Sequence, residues 1–138
     1  MATVELRFSA QPEHVRTARL VAAAVARRAG VDEAVLDEVR LAVGEACSRA
    51  VGLHQAGSIS APVQVQLIED EKQFSIQVGD ESPGSVGSAA GAEDDAESED
   101  EMGLAVISGL VDDVEVSASE TGGLIRMTWP TTPQPVQG

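Results

Sequence analysis

A chain of 138 residues, 43% of them hydrophobic, suits one globular domain with a single core and leaves no room for a second. Nine basic against 23 acidic residues give a net charge of −14, which repels nucleic acid phosphates and anionic membranes and favours a partner with a basic surface. The single cysteine, Cys47, excludes an internal disulfide and a multi-cysteine metal site, and Phe8, Phe74 and Trp129 are too few to form a stacking platform for bases.

The start, MATVELRFSA, lacks the basic residues and apolar run of a signal peptide, and no stretch approaches ~18 uninterrupted apolar residues, so a cytoplasmic protein is expected. Residues 3–9 alternate, with Val4, Leu6 and Phe8 on one side, as a half-buried strand does. Residues 12–29 switch to helical period: Pro12 suits a first turn, Val15, Ala18, Val21, Ala22 and Val25 form the apolar face, and Gly30 suits the C-cap. Arg16, Arg19, Arg27 and Arg28 place four of the nine basic residues on this one helix, as a solvated face or a partner-docking surface.

Asp32 is a candidate N-cap for a second helix reaching about residue 54, with Val35, Leu36, Val39, Ala42, Val43, Ala46 and Ala50 as its buried stripe. Cys47 falls in the same apolar pattern and, with the three methionines, is read as core. His14 and His54 have no acid or cysteine at ligand spacing and are read as surface or structural residues.

Residues 63–69 (VQVQLIE) and 73–79 (QFSIQVG) alternate across a short DEK turn and predict an antiparallel hairpin. The stretch after Asp80 is rich in Gly, Ser and acids, with seven acids between Glu93 and Glu101, and predicts a mobile loop at 85–101. A short helix at 103–111 and a second hairpin, 114–118 and 124–129 around a Thr-Gly-Gly turn, follow, and the Pro-rich tail 131–138 predicts disorder. Hairpins with helices grouped between them indicate an α+β, two-layer α/β sandwich, its mainly antiparallel sheet covered by helices on one face.

Three segments stand where such a sandwich makes a cleft: Glu45 and Arg49 in the second helix, Asp80-Glu-Ser-Pro-Gly84 at a strand end, and Met102-Gly103-Leu104 at a helix start. An acid at a strand end followed by a glycine opening a helix suits a nucleotide, the acid accepting a base amine and free N–H groups meeting phosphate.

In order and spacing, LDEVRLAVGEACSRAV, VGDESPG, MGLAVISGLVDDVEV and GGLIRMTWP resemble the anti-sigma factor serine kinases of the RsbW and SpoIIAB type, histidine-kinase-like ATPases with the Bergerat fold. The opening PEHVRTARLVAAAVARRAGV is similar to actinobacterial members. The resemblance covers residues 1–130 and makes 85–101 lid-like. It implies ATP and Mg²⁺ as cofactors, a sigma factor and a STAS-domain anti-anti-sigma factor as partners, and a homodimer. It implies Glu45 as general base, Asp80 as the adenine-binding acid, and Gly84 and Gly103 as nucleotide-site glycines. Arg16 and Arg19 then lie on the face that family members use against both partners.

This chain departs from that pattern at Arg49, which stands where the family has a Mg²⁺-coordinating asparagine. A guanidinium has no acceptor atom and stays protonated, so it is no metal ligand. Four residues after Glu45 it has the favourable order for a helical ion pair, which would make Glu45 a poorer base. Ser82 replaces the first glycine of DxGxG, a costly exchange if the turn needs positive φ, and the acidic loop opposes closure over a triphosphate. The expectation is therefore an anti-sigma-factor-like regulator with weak or absent kinase activity, without Mg²⁺, and with ATP held weakly by Arg49 or not at all. The alternative is an active ATP/Mg²⁺-dependent serine kinase acting on a STAS protein.

Overall fold

The structure, a computed structural model, describes residues 2–82, 107–111, 113–119 and 122–131. The acidic loop 85–101, Gly84, Gly103, Met1, Met102 and the tail from 132 onward lie outside the described residues. So does the first part of the helix expected at 103–111, of which 107–110 is described and helical.

Strand β1 (Ala2–Phe8) alternates as its sequence requires, and the chain turns into helix α1 (Glu13–Ala29) directly after Pro12. Gly30 ends α1 in the left-handed region at φ 106°, and its N–H reaches the carbonyls of Ala26 and Arg27, a cap that a residue with Cβ would strain. The Asp32 Oδ1 accepts the Ala34 N–H at 3.0 Å, and this cap opens a single 3-10 turn, Glu33–Val35, that runs on into α2 (Leu36–Ala56).

Strands β2 (Val63–Glu69) and β3 (Gln73–Asp80) form one hairpin, and β4 (Asp113–Ser119) and β5 (Gly122–Pro130) the other. The sheet order is β1-β2-β3-β5-β4, every described pair antiparallel. Register sets Val65 beside Val78 and Val78 beside Ile125, with Leu67, Ile76 and Met127 in the next row. These rows are the buried face, onto which α2 packs with α1 beside it.

On α1, Val15, Ala18, Ala22 and Val25 are buried as their spacing predicts; on α2, Leu36, Val39, Ala42, Val43, Ala46 and Ala50 are. Each fully buried Leu, Ile or Phe contributes about 1.5–3 kcal/mol relative to exposure, and Phe74, Leu67, Ile76 and Ile125, among the largest of them, lie on the sheet face. Cys47 is fully buried, and burial pushes its thiol up to about 12, which leaves it a small apolar core residue without thiolate chemistry. Met127 is likewise core.

Along β3 the even positions Phe74, Ile76, Val78 and Asp80 are all buried, the first three by hydrophobicity and the last by continuing their alternation. The strand therefore delivers one carboxylate into the interface with α2. Gly122 and Gly123, expected in a turn, belong instead to β5, where Gly123 lies opposite Asp80.

Candidate functional site

The Asp80 side chain is 4% exposed. A carboxylate so placed needs partners, because desolvation penalises its charge. Its Oδ1 accepts the Ser82 N–H at 2.9 Å, and its Oδ2 lies 3.8 Å from the Arg49 guanidinium, whose side chain is 12% exposed.

Both glycines of β5 make room for this acid. A Cβ on Gly123 would sit 2.9 Å from Asp80 Oδ2, and one on Gly122 would collide with the Asp80 carbonyl. Ser82 needs no left-handed backbone, since Ser58 is the non-glycine residue of positive φ among those described. Its replacement of glycine is thus free of the strain considered from the sequence.

The expected Glu45–Arg49 ion pair is replaced by Arg49–Asp80 among the described residues. The physical reason is burial. A helical i,i+4 pair contributes about 0.3–0.5 kcal/mol, whereas an Asp80 left without a cation inside the α2–β3 interface would cost several times that.

Glu45 instead opens toward α1. It lines a cleft of about 260 Å³ with Arg16, Arg19, Gly44 and Ser48, next to a second cleft of about 430 Å³ bounded by Arg16, Arg19, Leu20, Asp37, Arg40 and Leu41. The arginines of α1 divide into two pairs. Arg27 and Arg28 are committed to Glu33 and Glu69, each at 3.1 Å, while Arg16 and Arg19 have no acidic partner among the described residues. Leu20 and Leu41 are 58% and 54% exposed beside them, so this face combines cationic side chains with apolar surface, the Arg40–Asp37 pair at its edge.

His54 is fully buried, which removes the surface reading and leaves the structural one. Its Nδ1–H donates to the Ala61 carbonyl at 2.9 Å and its Nε2 accepts the Glu81 N–H at 2.8 Å. Only a neutral ring protonated on Nδ1 makes both bonds. It ties the end of α2 to the approach to β2 and to the residue after Asp80. No spacing rule announces this role, because its partners are backbone groups 7 and 27 residues away.

At the position that the resemblance gives to the Mg²⁺ ligand, the residue present does not fit the ion: Arg49 offers no acceptor atom and lies toward Asp80. Asp80, the acid that the resemblance gives to adenine, thus has one oxygen hydrogen-bonded to the Ser82 N–H and the other facing the Arg49 guanidinium.

The histidine kinase-like ATPase domain family matches residues 8–129. The serine-protein kinase RsbW of Bacillus pumilus is 31% identical over 137 residues, covering 91% of this chain and 83% of that protein. RsbW of Bacillus subtilis is 31% identical over 78 residues, covering 56% of this chain and 49% of that protein. The RsbU and RsbW domains of Rv1364c from Mycobacterium tuberculosis share the fold at a TM-score of 0.70 and 17% identity, over 96% of this chain and 33% of that longer one. No helix among the described residues is long and apolar enough to cross a membrane. A five-stranded antiparallel sheet under two helices, with these matches along nearly its whole length, places the chain in the histidine kinase-like ATPase family, among its RsbW-type anti-sigma factor kinases.

Proposed function

We propose that the chain is a cytoplasmic partner-switching regulator of transcription, which binds a STAS-domain anti-anti-sigma factor, a sigma factor, or both, and has weak or no kinase activity. The observation that carries this reading is the Arg49–Asp80 pair: a cation stands where the resemblance expects the metal ligand, and it pairs with the acid that the resemblance gives to adenine. The same arginine offers no ligand to Mg²⁺. Partner contact falls to Arg16 and Arg19, which have no acidic partner among the described residues and orient an acidic group of the partner at short range, within a long-range field that favours an otherwise basic surface.

Two measurements test the proposal together. Affinity capture with the tagged full chain should retain a STAS-domain protein or a sigma factor. Isothermal titration with ATP and Mg²⁺, followed by phosphotransfer to the captured STAS protein, should give little heat and no phosphoserine. Tight Mg²⁺-dependent binding with phosphate transfer would replace this reading by that of an active serine kinase. One observation favours that second reading: Glu45 lines an open cleft, as a base awaiting a serine hydroxyl would.

Charge reversal at Arg19 gives the test of the docking face. Arg19→Glu is expected to weaken binding of the captured STAS protein about tenfold, with an unfolding midpoint unchanged because the side chain is exposed. Unchanged affinity in surface plasmon resonance would remove Arg19 from the interface.

A further inference from the structure

Gly44 stands in the middle of α2, is buried, and faces α1. Glycine inside a helix costs about 0.5–1 kcal/mol relative to alanine, and α2 carries a second one, Gly52. The two sites differ. A Cβ on Gly52 would meet nothing within 4 Å, whereas a Cβ on Gly44 would lie 2.8 Å from Arg19 Cδ, 3.5 Å from its Cγ and 3.8 Å from its Nε. The stem of Arg19 therefore lies across α2 in the space that a side chain at 44 would fill, with Glu45 and Ser48 lining the same cleft.

We infer that Gly44 is a positioning residue, which seats Arg19 at the mouth of the Glu45 cleft and so presents its guanidinium to a protein partner in a fixed direction. This inference rests on the reading of Arg19 as a partner contact. Without the seat, the arginine retains its charge but must leave α2, and its four rotatable bonds spread the guanidinium over many positions. Holding it in one geometry then costs side-chain entropy at the moment of binding. The seat also joins the docking face to the candidate base, because Arg19 and Glu45 line the same cleft.

The test compares Gly44→Ala with Gly52→Ala in the full chain. Both are expected to keep or raise the thermal midpoint, since each gains helix propensity. Only Gly44→Ala is expected to move the Arg19 Nε–Hε resonance, to raise Arg19 modification by phenylglyoxal severalfold, and to weaken binding of the captured STAS protein about fivefold. In an Arg19→Ala background the second substitution at Gly44 should add nothing. The inference is overturned if Gly44→Ala leaves the resonance and the affinity at their wild-type values, or if it costs as much with Arg19 absent as with it present. Failure of the wild-type chain to bind either a STAS protein or a sigma factor would sink the function proposed above, whereas the resonance and the phenylglyoxal rate would still decide the seat.

Discussion

Replacing Arg49 by asparagine is expected to raise the affinity for Mg²⁺-ATP by about tenfold or more, from the weak or absent binding of the native chain. Two effects act in the same direction. Removing the guanidinium frees Asp80 Oδ2 to accept an adenine amine, a hydrogen bond to a charged group that contributes about 1.5–3 kcal/mol. Asparagine also supplies a carbonyl oxygen at the position where the family holds its metal, which arginine cannot. The substitution has a cost, because it leaves a carboxylate of 4% exposure without its cation. Asp80 keeps the Ser82 N–H, so the loss of stability should stay at about 1–2 kcal/mol. Isothermal titration with and without Mg²⁺ reads the gain. An unchanged titration would mean that features beyond the Arg49–Asp80 pair close the nucleotide site.

The largest loss of stability is expected at His54. His54→Ala removes a fully buried ring and leaves the Ala61 carbonyl and the Glu81 N–H without their partner. The cavity and the unmet hydrogen bonds together should cost about 3 kcal/mol, or about 10 °C in thermal midpoint. Gln55, the next residue, makes one exposed bond to the Ala10 carbonyl, and Gln55→Ala should stay within about 0.5 kcal/mol. Urea unfolding of the two variants separates a structural latch from a surface residue; similar midpoints would show that the His54 bonds contribute little.

Much of the fold is legible in the sequence because it is local. Alternation along TVELRFS, VQVQLIE and QFSIQVG specifies which side of each strand is buried, and the spacing of alanines and valines does the same for both helices. Gly30 and Asp32 mark a helix end and a helix start through their own backbone and side-chain chemistry. The order and spacing of the four motifs point to the family that the match over residues 8–129 shows, since both can be read along the chain without a partner.

What the sequence leaves undecided concerns choices between acceptors and spaces on different elements. Arg49 has Glu45 four positions back and Asp80 thirty-one positions ahead, and the chain alone favours the nearer acid. The packing of α2 on β3 buries Asp80 and so makes the distant pairing the stronger one. Glu45, Gly44 and Arg19 become neighbours only when α1 lies along α2, and Gly123 acquires its meaning from the Asp80 carboxylate across the β3–β5 ladder. His54 bonds two backbone groups that no residue type advertises. Periodicity determined the elements and their buried faces, because it records the burial of each residue. Tertiary structure decided the site, because desolvation assigns charges and glycines their partners only after the elements have packed.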